Sequence, residues 1–129
     1  MKIIKKIVVF FAISATLFAC KKNTTAINRI NITAPINNAT YEYGDTVYLK
    51  GTITTDEEMH GYTLLIRTFD DKTPVFDAEK HVHGTTLSID TFWVNNVAVH
   101  TNMELVTTVV VNHIGDMDST ITQFHCHPL

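Results

Sequence analysis

Met103-Glu104-Leu105-Val106-Thr107-Thr108-Val109-Val110-Val111-Asn112 is the most apolar stretch beyond the first twenty residues, and its reading decides the fold. Valine and threonine dominate it, and β-branched side chains favour extended backbone. A strand with one wet face alternates apolar with polar residues. This one is hydrophobic on both faces, which predicts a central strand of a sheet.

Turn signals punctuate the chain on either side of it. Gly115-Asp116 predicts a hairpin, and Ser119 to about His127 a closing strand. Upstream, Gly84 opens a strand in which Leu87, Ile89 and Trp93 face one way. A strand from Val75 to His83 precedes it, and Asp70-Asp71-Lys72 separates that from one spanning Tyr62 to Phe69, with Leu64 and Ile66 on a shared side. The acidic turn Asp56-Glu57-Glu58 comes before it. Gly44-Asp45 opens a strand with Val47, Leu49, Gly51 and Ile53 inward, and Ile30 and Ile32 alternate in a first strand that ends near Pro35, followed by the turn-like Asn37-Asn38. There is no helical periodicity and no internal repeat. Seven short strands with turn signals about every ten residues predict a single all-β domain, an antiparallel immunoglobulin-like or fibronectin-III-like sandwich.

The first twenty residues carry a different message. Lys2, Lys5 and Lys6 form a basic start, and Ile7 to Ala19 is an apolar run too short to span a bilayer. Leu17-Phe18-Ala19-Cys20 resembles the lipobox of bacterial lipoproteins, in which the cysteine is acylated and becomes the new N-terminus. The expected organisation is a cleaved signal peptide over 1–19, lipidated Cys20 with a short polar tether over 20–28, and the sandwich over 29–129. Lipidation would leave Cys126 as the one remaining thiol, so no intrachain disulfide is expected.

Charge narrows the partners. The chain has ten Lys and Arg against 13 Asp and Glu. Loss of Lys2, Lys5 and Lys6 would leave seven against 13, a net of −6. Such a body disfavours nucleic acid and broad adsorption to anionic lipid. The membrane is expected as a partner through the lipid alone, at the bacterial outer membrane facing the periplasm, with a protein of the cell envelope as a further partner. The lipobox, the Tyr43-Gly44-Asp45-Thr46-Val47 segment and His81-Val82-His83-Gly84 together resemble small Ig-like lipoproteins of the Bacteroidota, many of unknown function. The resemblance implies a lipid-anchored sandwich and brings no catalytic residues with it.

Histidine is the residue type that could carry chemistry, with seven copies. His81 and His83, and His125 and His127, have His-x-His spacing, which on a strand puts two imidazoles on one face and can supply part of a zinc or copper site. Strand connectivity predicts two groups at opposite ends of the sandwich. The first is His60, His81, His83 and His113, the expected metal ligands. The second and weaker is His100, His125 and His127. A hairpin around Gly115-Asp116 would set His125 and His127 opposite Thr107 and Leu105. His81 and His83 also continue the polar alternation of Asp77 and Glu79, as a solvated face would, and Cys126 is expected to point into the core with Phe124.

Enzyme signatures such as G-x-S-x-G and H-E-x-x-H are absent. The sequence therefore predicts a non-catalytic, membrane-anchored binding module, with Cu or Zn binding by clustered histidines as its specific form. The alternatives are a metal-dependent hydrolase and a purely structural or adhesive module without metal. On this topology the first strand begins at the His60–His83 end, so Cys20 would hold that end toward its membrane.

Overall fold

A computed structural model describes residues 29–112 and 114–129. The expected leader, Cys20, the tether and His113 lie outside the described residues. The chain forms β1 (Arg29–Ala34), β2 (Ala39–Tyr41), β3 (Thr46–Thr54), β4 (Met59–Thr68), β5 (Pro74–Lys80), β6 (Thr86–Val94), β7 (Thr101–Val111) and β8 (Asp116–Cys126).

Alternation builds these strands into layers. In β3 every second residue, Val47, Leu49, Gly51 and Ile53, is buried while its neighbours face water. The strand thus contributes one apolar face, as period-2 patterning requires. The same logic turns Leu64 and Ile66 of β4, Ile89 and Trp93 of β6, and Phe124 and Cys126 of β8 into a shared core. Two sheets enclose it: a three-stranded one in the order β1-β3-β6 and a five-stranded one in the order β2-β8-β7-β4-β5. β7 is the middle strand of the larger sheet, and its inward residues Met103, Leu105, Val109 and Val111 are almost wholly buried. The two-sheet, all-β arrangement is a β-sandwich.

Among the described residues eight strands form where the sequence predicts seven. The addition is β2, three residues long, which pairs with β8 in parallel through Ala39↔Phe124, Thr40↔His125 and Tyr41↔Cys126. The sandwich is therefore not wholly antiparallel. Three residues after Pro35 and Asn37-Asn38 are too few to show a period, and the flanking turn residues read as loop.

The β7–β8 hairpin also pairs in a different register from the expected one. β7 and β8 pair from Val111↔Asp116 through Thr101↔Cys126, so His125 lies opposite Asn102, and Leu105 and Thr107 face Thr122 and Thr120. The cause is local. Asn112 adopts φ 60°, and its Oδ1 accepts from the amides of Ile114 and Asp116 at 3.1 and 3.4 Å. Its own Nδ2 donates to Asp116 Oδ2 at 2.9 Å. That side chain closes the hairpin before Asp116 rather than around it, and the pairing slides away from the expected register.

Connectivity defines two ends. At the near pole, where β1 starts, Arg29 pairs with Thr54 and Thr54 with Thr86, and β4 starts and β7 ends through Met59↔Val111. At the far pole β3 starts, β4 and β8 end, and β2 lies against the end of β8. An 11-residue strand such as β7 puts roughly 35 Å between them.

The outer face of β7 holds one buried charge. Glu104 is 3 % exposed and takes Arg67 Nε at 2.9 Å and Lys72 Nζ at 3.0 Å on its two carboxylate oxygens. Burial alone would push its carboxyl up, but the hydrogen bonds and charges of Lys72 and Arg67 outweigh it and hold the pKa below the usual carboxylate value. The turn after β4 is thereby fastened to β7 near the far pole.

Candidate metal centre

Three segments meet at the far pole, and each brings a histidine or the group that holds one. His100 comes from the connection between β6 and β7, His125 from the last pairs of β8, and His127 from the segment beyond Cys126. The shifted register is what draws them together, because it carries His125 up to Asn102, close in sequence to His100. One ligand nitrogen from each of the three lies within 4.8 Å of the others. Among the described residues this is the one group of three or more His, Cys, Asp or Glu at such spacing. Ring centroids stand 4.7 Å apart for His100 and His127, 4.9 Å for His125 and His127, and 5.9 Å for His100 and His125.

Contacts at Nδ1 engage one nitrogen of two of the rings and leave Nε2 for a metal. His125 Nδ1 lies 2.8 Å from Asn102 Oδ1, and His127 Nδ1 lies 3.1 Å from Glu42 Oε1. Asn102 Oδ1 only accepts, so His125 Nδ1 carries the proton of that hydrogen bond and the neutral form of the ring has its lone pair on Nε2. The Glu42 carboxylate beside His127 Nδ1 favours a proton on that nitrogen as well. An imidazole held at Nδ1 by an oxygen acceptor is the usual second layer of a histidine metal site, orienting the ring and raising its basicity.

A buried amide ties these segments to one another. Asn95 is fully buried, and its Nδ2 reaches Glu42 O at 3.0 Å, His127 O at 2.9 Å and Tyr41 O at 3.3 Å. Its Oδ1 accepts from Val97 N at 3.2 Å, which shapes the path toward His100. The His127 amide in turn donates to Tyr41 O at 2.9 Å. Strand β2, the 95–100 connection and the C-terminal residues are thus held by one side chain. Sequence reading missed Asn95, Glu42 and Asn102. Asn95-Asn96 looks like an ordinary polar turn, and nothing local distinguishes a buried asparagine from a solvated one.

Cys126 takes no part. It is fully buried in the core beside Phe124, and burial pushes its thiol up to about 12. A metal takes cysteine as thiolate, which this position opposes. Met59 and Met103 are likewise wholly buried core residues and offer no thioether to either pole. Next to the far-pole histidines lies an open cleft of about 340 Å³ walled by Asn38, Phe69, Asn102, Gln123 and His125 among others, so a ligand at the site would have room beside it.

At the near pole the ring of His83 meets those of His60 and His81, without one nitrogen from each lying within 4.8 Å of the others, while His113 lies outside the described residues. His60–His83 and His81–His83 centroids are 5.3 and 4.7 Å apart. β5 ends at Lys80, so His81 and His83 sit in the segment after the strand and not on it as expected. The pairing with β4 stops at Tyr62↔Lys80, next to the point where β4 bulges between Met59 and Gly61 in its pairing with β7. Compared with known proteins, the chain matches no protein-family model and no curated protein.

Proposed function

We propose that this chain is a membrane-tethered, non-catalytic binding module of the bacterial cell envelope that takes a Zn²⁺ or Cu²⁺ ion through His100, His125 and His127. The observation that carries the reading is the pairing of convergence with orientation. Three imidazoles reach within 4.8 Å, and two of them are turned by Asn102 and Glu42 so that Nε2 is the free donor. Neutral nitrogen donors without thiolate or thioether suit Zn²⁺ and Cu²⁺ better than Cu⁺. Glu42 is engaged with His127, which supports a holding role for that carboxylate over general-base chemistry.

The tether rests on the basic start, apolar run and lipobox-like Leu17-Phe18-Ala19-Cys20. The immunoglobulin-like reading of the sandwich is supported by the strand order, with β1 beside β3 and β2 crossing to pair with β8 in the other sheet. With Cys20 lipidated, β1 would start at the membrane side and the far-pole histidines would face outward, toward an envelope partner.

Zn²⁺ titration of the full chain in detergent tests the metal reading. The expected result is saturable binding that His125→Ala with His127→Ala abolishes at the far pole. Binding unchanged by that pair of substitutions would end it. Mass spectrometry of the membrane-extracted protein tests the tether, with an acylated N-terminal Cys20 expected and an unprocessed Met1 contradicting it.

A further inference from the structure

We infer that the near pole carries a second, separate transition-metal site, in which His81 and His83 clasp a Zn²⁺- or Cu²⁺-class ion with His60 beside them. The inference does not depend on the far-pole reading, since no residue is shared.

The distance between the two donor atoms carries it. His81 Nε2 and His83 Nε2 lie 3.1 Å apart. Two nitrogens on one tetrahedral zinc ion, each at ~2.0–2.1 Å, stand about 3.3 Å from one another. The pair is therefore already at the spacing that a shared ion imposes. His83 Nδ1 is 3.3 Å from Glu58 Oε1, an ion-pair distance at which the carboxylate favours a proton on Nδ1 and leaves the Nε2 lone pair toward His81. The proton between the two Nε2 atoms then belongs to His81. A metal takes that proton's place when His81 shifts it to Nδ1.

The local structure presents these rings for a reason. Val82 packs partly into the core between two exposed histidines, so His81 and His83 both turn outward although the strand has ended. Glu58 stands to His83 as Glu42 stands to His127, a carboxylate on Nδ1 that frees Nε2. His60 occupies the bulge of β4, and its ring meets that of His83 nearly edge-on, at 85°. Gly61 permits this approach, because a Cβ there would lie 2.8 Å from the Lys80 carbonyl oxygen, immediately before His81. With the poles roughly 35 Å apart and charges screened over about 8 Å at physiological salt, the sites should fill independently.

The experiment is equilibrium dialysis of the full chain in detergent against Zn²⁺, with metal counted per chain, and circular dichroism confirming each variant's fold. Two ions per chain are expected, falling to one in His81→Ala with His83→Ala and also to one in His125→Ala with His127→Ala. His83→Gln, a milder change, should weaken the near site while leaving the other unchanged. If the His81 and His83 variants keep the full metal count of the unaltered chain, the second site is overturned. One ion lost only with His81 and His83 would uphold this inference and sink the far-pole reading; no ion at all would sink both.

Discussion

The two poles of the sandwich hold the same residue type in differently built surroundings. At the far pole, His125 and His127 flank a core cysteine, their Nδ1 atoms are held by Asn102 and Glu42, and buried Asn95 fastens the surrounding segments. At the near pole, His81 and His83 are exposed and follow the last paired residue of β5, with Glu58 beside Nδ1 of one ring. Ligand identity is therefore a poor guide to how a site behaves. Preorganisation comes from what the backbone around each imidazole is bonded to, and it predicts a tighter, slower-exchanging ion at the far pole and a more labile one at the near pole.

That contrast can be broken most forcefully at Asn95. Asn95→Ala removes a buried donor shared by three carbonyl oxygens, and should cost roughly 2–4 kcal/mol in urea unfolding. It should also loosen far-pole metal binding while leaving near-pole binding intact. Equal loss at both poles would mean that Asn95 supports the sandwich at large and not that site.

Next in size is Glu104→Gln, expected to lose roughly 1–3 kcal/mol, because Arg67 is only partly buried and Lys72 is exposed, so both keep access to water. The pH dependence has a definite sign. A carboxyl whose folded pKa is lowered contributes its full stability above the unfolded value of about 4.3, and loses it as pH falls through the lower folded value. The stability gap between the native chain and Glu104→Gln should accordingly narrow on acidification below about pH 4. A gap that stays constant throughout acidification would contradict the assignment.

Removing a ring brace is a finer probe. Glu42→Ala should weaken Zn²⁺ binding at the far pole by roughly 10–100-fold, the usual range for lost second-layer partners. Because His81 and His83 still meet directly, Glu58→Ala should weaken the near pole by less. The reverse ranking would overturn the comparison. Smallest of all is the effect expected on Cys126, which should resist alkylation by iodoacetamide in mildly alkaline buffer until the chain unfolds, since its thiol is buried and its pKa is pushed up to about 12.

Much of the fold is legible in the sequence because burial leaves a period. The alternation of Val47, Leu49, Gly51 and Ile53 and the sustained apolarity of Leu105 to Val111 translate directly into an inward face and a central strand. Three-residue β2 leaves no such trace, since its pairing depends on β8 and not on its own pattern. The far-pole site is less legible for a related reason. Connectivity alone places His100 at the same end as His125 and His127, but their closure to ligand distance depends on a register that Asn112 sets through its side-chain bonds to Ile114 and Asp116. A turn placed too late along the chain moves every pairing in the hairpin. Glu42 is remote from His127 in the sequence, and nothing in its neighbourhood marks it as a ring brace. It enters the site only because β2 crosses to the end of β8 and delivers its carboxylate to His127.

The central claim is that His100, His125 and His127 bind one ion, with His125 and His127 ligating through their ε nitrogens, and long-range ¹H–¹⁵N NMR of the histidine rings during Zn²⁺ titration tests it most directly. Large ¹⁵N shifts at Nε2 of His125 and His127, with the Nδ1 protons retained and His100 moving in step, are predicted as the far-pole site fills. Rings at the far pole that stay unmoved while zinc binds elsewhere, or ligation through Nδ1 of His125 and His127, would contradict the account.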